Sequence, residues 1–303
     1  MADTRRIAQL QNGDRSLTLL RAAAVAHRHT QRAQGASLVV SVLVACLSLL
    51  AKPVPGATPT VVLVGTAWAV IYATLVVRWS GRYMRTSATL QEMLDVGLFN
   101  LPWNMVAVGD PVPEDDVSRL SRRFRRGVSR LRDYYLVAEV PAPYDVLFCL
   151  EQNLAWGSRV RLRFANVLAA AVMLWFAAGL AVGIATGSTV GQLVTQWFVP
   201  SLGLLLLCLD VYRAQVSITR ERTRVLGLLR TTVDDPASPV LATDQAFTVF
   251  ARQIQDVLFQ MRSQQPRVPT WFFRWFHDSD ITDFRFKMQA LEARFGNATQ
   301  TRP

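Results

Sequence analysis

The stretch FANVLAAAVMLWFAAGLAVGIATGSTVGQLVTQWFVPSLGLLLLCL, residues 164–209, holds 46 consecutive positions without a charged side chain. A helix rises about 1.5 Å per residue, so about 20 apolar residues cross a hydrocarbon core about 30 Å thick. The run is too long for one crossing and suits two. It divides at Thr186-Gly187-Ser188-Thr189, giving spans over about Phe164–Ala185 and Gly191–Leu209. Pro53 to Val77 is a second uncharged run, of 25 residues; its span covers about Thr60–Val77 and ends at the interfacial pair Arg78-Trp79. Another span covers about Gln34–Ala51, and Lys52-Pro53-Val54-Pro55-Gly56 breaks its helix. Its start near residue 34 and its lack of a small-residue cleavage site set it apart from a signal peptide. The fold class is an all-α membrane protein with four transmembrane helices in two pairs.

The rest of the composition agrees. The 303 residues carry 33 basic and 22 acidic side chains, net +11, and 18% are charged, against about 25% in soluble proteins. A wholly soluble enzyme is excluded. So is a disulfide-built secreted domain, because Cys46 and Cys208 fall inside spans and Cys149 stands alone. Six arginines precede the first span, thirteen lie between Arg78 and Arg163, and twelve follow Asp210, whereas the two short connections hold only Lys52. The positive-inside bias therefore puts both termini and the central segment in the cytoplasm. The division is a cytoplasmic N-terminal helix (1–33), spans one and two (34–79), a central cytoplasmic segment (80–163), spans three and four (164–210) and a C-terminal cytoplasmic segment (211–303).

The cytoplasmic segments read as helices. Pro113-Glu114-Asp115-Asp116 is a helix start, and Val117, Leu120, Phe124, Val128 and Leu131 follow at helical spacing. That pattern predicts one long amphipathic helix with Arg119, Arg122, Arg123, Arg126 and Arg130 on its opposite face. A helix over about Tyr144–Arg163 is expected to run straight into the third span. Another continues the fourth span from Val211 to about Arg230 and ends at Asp234-Asp235-Pro236. Two more are expected, over about Ala237–Met261 and Ser279–Phe295.

The chemistry of a catalyst is missing. His27 and His29 point to different helix faces, and with His277 they are all the imidazole there is; metal chelation from that pair is excluded. There is no phosphate loop, nucleophile elbow or HExxH pair, and the spans hold no ionisable relay for a transporter. The expectation is a non-enzyme that needs no cofactor.

Several short stretches carry a resemblance. Leu94-Asp95 precedes Leu101-Pro102-Trp103-Asn104 and Val108-Gly109. Asp133-Tyr134-Tyr135 follows, then Cys149, Asn153, Trp156, Arg161 and Phe164, and finally Ile254-Gln255-Asp256 and Val268-Pro269-Thr270-Trp271-Phe272-Phe273. In this order, around two pairs of spans, they resemble the S-4TM family of effectors from about residue 15 to 295. Leu150, Gly157, Phe164, Thr270 and Phe273 depart from the family pattern, which favours Gln, Asp, Tyr, Asp and Tyr there. The resemblance implies a role in cyclic-oligonucleotide-based anti-phage signalling (CBASS). A nucleotidyltransferase makes a cyclic oligonucleotide on infection, and the effector then compromises the membrane.

The candidate ligand-binding residues are Trp103, Asn104, Asp133, Trp156, Arg161, Arg122 and Arg126. Aromatic rings stack bases and arginine forks fit phosphates, but Trp103, Trp156 and Trp271 also suit a hydrophobic core or interfacial anchors. Asp95, Asn104, Asp133 and Asp256 suit base edges or loop ties, and the arginine row suits anionic lipid as well as phosphate. Gly179, Gly183 and Gly187 recur every four residues, which favours close helix packing in an oligomer or within one bundle. Expected partners are a cyclic oligonucleotide, a bilayer with anionic lipids and further copies of the chain, with no DNA or RNA duplex. The alternative is a membrane-anchored scaffold or sensor that recruits a partner without forming a pore.

Overall fold

A computed structural model describes residues 6–50, 56–136, 140, 142–235, 237–264, 268–269, 271–276, 282, 286 and 289. All regular structure among them is helical: α1 (Arg6–Leu10), α2 (Asp14–Leu50), α3 (Ala57–Ile71), α4 (Val77–Phe99), α5 (Met105–Val108), α6 (Glu114–Arg122), α7 (Tyr144–Ala155), α8 (Ser158–Ala185), α9 (Val190–Leu193), α10 (Val199–Asp234) and α11 (Asp244–Gln264). Four stretches are long and apolar enough to cross a membrane, within Asp14–Leu47, Pro59–Phe99, Tyr144–Ala185 and Val190–Asp234. Their apolar parts leave large side chains bare, such as Leu63 (70% exposed), Leu174 (72%) and Ile184 (74%). Water would oppose that exposure; hydrocarbon does not. The all-α membrane fold read from the sequence stands.

Helices α2 and α10, and α3 continued through a π-helical turn into α4, run unbroken out of the apolar layer into a helical body. There α2 packs on α4 and α6, α11 on α4 and α7, and α10 on α2 and α7. One core joins all six, with Leu20 and Ala26 of α2, Leu90 and Leu94 of α4, Val117 of α6, Leu147 and Leu150 of α7, Val225 and Leu229 of α10 and Leu258 of α11.

Within the apolar layer, α10 sits against α2, α3 and α8. The indole of Trp68 donates to Ser41 Oγ (2.8 Å) and that of Trp175 to Ser201 Oγ (3.1 Å), so hydroxyls satisfy the ring N–H groups away from water. Trp175 packs on Trp197 at 5.0 Å and Phe176 on Phe198 at 4.8 Å between ring centres. The second and fourth spans each contain a π-helical turn, Tyr72–Val76 and Val194–Phe198. The third and fourth part where the uncharged run predicts: α8 stops at Ala185, and Thr189 opens α9 with a capping box to Gln192.

Two helix expectations are corrected. The central amphipathic helix ends at Arg122 instead of continuing to Leu131. Arg123 and Phe124 turn back on Leu120 and Ser121, Gly127 is extended, and Val128–Arg130 is a single 3-10 turn. Like charges at Arg119, Arg122, Arg123 and Arg126 repel at helical spacing and glycine costs a helix about 1 kcal/mol, so the helix stops while Phe124 and Leu131 still reach the core. The five arginines therefore share no single helix face. Likewise, the helix leading to the third span breaks at Trp156-Gly157, where Gly157 takes φ +74°. The helix expected over Ser279–Phe295 falls outside the described residues except at 282, 286 and 289, and the break at residues 52–55 falls wholly outside them.

Candidate functional site

The resembling motifs converge first on a buried polar network. Glu92 and Asp95, one turn apart on α4, are fully buried. Asp95 accepts from the Tyr135 hydroxyl (2.6 Å), Gln255 Nε2 (2.9 Å) and Arg262 Nη1 (2.6 Å). Gln255 also donates to Glu92 (2.9 Å), and Glu92 pairs with Arg252, which donates to the Pro102 carbonyl at 3.1 Å. Asn153 donates to the Tyr135 hydroxyl (2.7 Å). Burial and then the Asp95 charge push the Tyr135 phenol well above its usual range, so it stays protonated and remains a donor. Burial raises Glu92, with Arg252 opposing the rise. Glu92 and Asp95 are each paired with an arginine from α11, an arrangement that locks α4 to α11.

This placement turns several candidates into ties. Asn104 caps α5 by accepting from Val106 N (3.1 Å) and Ala107 N (3.2 Å), and donates to Asp256 at 2.8 Å. The Trp103 indole donates to the Gly109 carbonyl at 2.9 Å. Asp133, at φ +50°, accepts from Asn12 Nδ2 at 2.8 Å while its own N–H donates to Asn12 Oδ1 at 3.1 Å. Gln11 and Gln152 grip the next residues in the same way, each pairing its amide with backbone groups of Tyr134–Leu136.

Trp156, Arg161 and Arg126, by contrast, line one cleft of about 470 Å³. The sequence offered them; the structure adds Ala24, His27, Arg28 and Gln31 from α2, Phe124, Leu131 and Tyr134 from the central segment, and Val268 and Phe273. The α2 residues fall at spacings of three, four and seven, one stripe of that helix. That stripe was the missed signal, because it is polar and reads as a solvated face. Arg161 Nη1 reaches Gln215 Oε1 of α10 at 3.3 Å. Outside the cleft lining, burial with Arg32, Arg123 and Arg28 lowers the proton affinity of His29; within it, burial and then the nearby Arg126 and Arg32 charges lower that of Arg28. Positive charge is thus crowded here, and an anion would relieve it. Arg122 is exposed on α6 outside the cleft.

Trp103 lines a separate depression of about 550 Å³ with Leu10, Met93, Leu98 and Pro111, mostly apolar. Its arginine, Arg15, is already engaged, both Nη atoms donating to Glu114 at 2.5 Å.

Gly179 and Gly183 face the fourth span of the same chain. A Cβ on Gly179 would lie 2.6 Å from the Trp197 indole, and one on Gly183 3.3 Å from Leu193. Gly187, at φ +62° with open space around it, serves the turn between spans. Among the described residues no group of histidine, cysteine and acidic side chains is arranged to hold a metal.

The family model of the SMODS-associating 4TM effector domain matches residues 5–291. The chain is also 22% identical over 272 residues, 87% of its length and 90% of the relative's, to a Bacillus cereus protein described as a probable CBASS effector molecule. No solved structure matches it.

Proposed function

The chain belongs to the family of SMODS-associating 4TM effector domains, and on that premise we propose that it is an anti-phage effector of the bacterial inner membrane, gated by a cyclic oligonucleotide. The ligand enters the cleft beside Trp156 from the cytoplasm. Copies of the four-span bundle then associate and breach the bilayer.

One observation carries this reading: the cleft joins three arginines, Arg28, Arg126 and Arg161, with the rings of Phe124, Tyr134, Trp156 and Phe273. A cyclic oligonucleotide needs that combination, since its phosphodiesters pair with guanidinium forks and its bases stack on aromatic faces. The cleft is also lined by Trp156-Gly157, the break between α7 and the helix that becomes the third span. A ligand that fixes this break acts directly on a membrane helix.

Calorimetry with a panel of cyclic dinucleotides and trinucleotides, on protein purified in neutral detergent, tests the site. Arg126→Glu with Arg161→Glu should lower affinity at least tenfold, whereas Arg122→Glu, outside the cleft, should leave it unchanged. Full binding by the double variant would discard the cleft. Dye release from liposomes on adding the bound nucleotide tests the second half. Binding without release would favour a membrane-anchored sensor that recruits a partner.

A further inference from the structure

Residues 271–276 form a helical turn whose sides meet different surroundings. Phe272 is buried against Val160 and Phe164 of α8, with 5.2 Å between the Phe272 and Phe164 ring centres. Phe276 packs on Phe272 at 5.4 Å and lies beneath the Arg163 guanidinium at 4.5 Å. Phe273 faces the cleft. Trp271 and Trp275 face outward, packed edge to face at 5.5 Å yet 58% and 75% exposed, with exposed Arg274 between them.

The point of attachment says what covers the two indoles. Phe164 is the first residue of the long uncharged run, so the turn is docked where the third span enters the bilayer. The exposed apolar surface of α8 begins at the same level with Leu162 and Val167. Tryptophan at that depth keeps its apolar ring in the acyl boundary and its N–H among headgroups. The guanidinium groups of Arg163 and Arg274 beside it suit anionic headgroups.

We infer that Trp271 and Trp275 insert into the headgroup–acyl boundary of the leaflet on the body's side, so that residues 271–276 are an interfacial anchor whose partner is lipid. The same turn supplies Phe273 to the cleft wall, so the ligand site and the bilayer share one element. The anchor rests on the membrane placement of α8 and holds whether or not a nucleotide occupies the cleft.

The full chain, with its three native cysteines replaced by alanine, is reconstituted without nucleotide in phosphatidylethanolamine–phosphatidylglycerol vesicles. A nitroxide is attached through Trp275→Cys or, as a solvent reference, Thr231→Cys. At 275 the label should collide more with oxygen than with a nickel chelate, and at 231 the reverse. Nickel access at 275 equal to that at 231 would overturn the anchor. Shielding from both reagents would mean that protein covers this face, and would overturn it too. A second measurement keeps the native cysteines. The emission lost on Trp271→Phe with Trp275→Phe, taken as a difference spectrum, should be quenched by brominated lipid, and an unquenched, water-like difference spectrum would sink the proposal.

Discussion

Gly179 shows how much a single missing methyl group decides. A Cβ there would lie 2.6 Å from the Trp197 indole, which is itself held against Trp175 at 5.0 Å, so a rigid ring must move. At Gly183 the neighbour is the end of Leu193, at 3.3 Å, which can rotate away. Overpacking of the first kind costs about 1–3 kcal/mol. Gly179→Val should therefore lower the midpoint of thermal unfolding in detergent by several degrees, while Gly183→Ala should shift it little. Equal effects would mean that the glycines face something other than these two side chains. His29 carries a different residue-scale prediction. It rests on Tyr83 at 4.9 Å, and burial together with Arg32, Arg123 and Arg28 holds its proton affinity below the ordinary value of 6.5. The unfolded chain then binds the proton more readily than the folded one, so His29 favours folding above pH 6.5 and loses that contribution as pH falls below it. Thermal midpoints at pH 8 and pH 6 should differ less for His29→Gln than for the native chain.

At the scale of elements, the junction between α7 and α8 is where the body meets the third span, and an arginine from another helix holds it. Arg222 of α10, 5% exposed, donates through Nη1 to the carbonyls of Asn153 (2.7 Å), Trp156 (3.1 Å) and Leu154 (3.2 Å), the orphan acceptors at the end of α7. Removing it leaves these carbonyls short of a charged donor, a loss of about 1–3 kcal/mol for a buried group. Arg222→Met should lower stability by that amount in denaturant titration and speed hydrogen exchange over residues 153–161, with Arg222→Lys intermediate. A change in global stability without faster exchange at the junction would contradict the capping role. Nothing local in the sequence announces this contact, because 66 or more positions separate the partners. The same holds for the polar network: Leu94-Asp95 and Ile254-Gln255-Asp256 stand out as motifs, but only the fold brings Arg262 to Asp95 across 167 positions. The long central helix failed for the opposite reason. The apolar spacing from Val117 to Leu131 is real, yet Phe124 and Leu131 satisfy it from a turn and an irregular segment. Periodicity reports which side chains are buried, and several backbones can deliver them.

Across the whole molecule, the spans were the most legible feature, since an uncharged length is compared with a fixed hydrocarbon thickness. The cleft was half legible: Trp156, Arg161 and Arg126 stood out, whereas His27 and Arg28 lay on a helix stripe that resembles a solvated face. The continuity of α2, α4 and α10 fixes a further property, the relation between the two sides of the bilayer. Those three helices, and α8 through Trp156-Gly157, all descend into one body with one shared core. Helices α6, α7 and α11 and the far end of α10 must then lie on the same side, with Thr186–Thr189 opposite, regardless of which side faces the cytoplasm. Arginine counts bear on that second question: six, thirteen and twelve flank the spans in sequence and none falls in the two short connections, so the positive-inside bias favours a body facing the cytoplasm. Reporter fusions ending at Glu114 and at Thr231 should both be active as cytoplasmic reporters, and one ending at Thr189 should be active only when exported. Opposite readings at Glu114 and Thr231 would break the shared body itself. Agreement between them with reversed polarity would leave the fold intact and overturn only the orientation, moving the cleft beyond the reach of any cytoplasmic nucleotide.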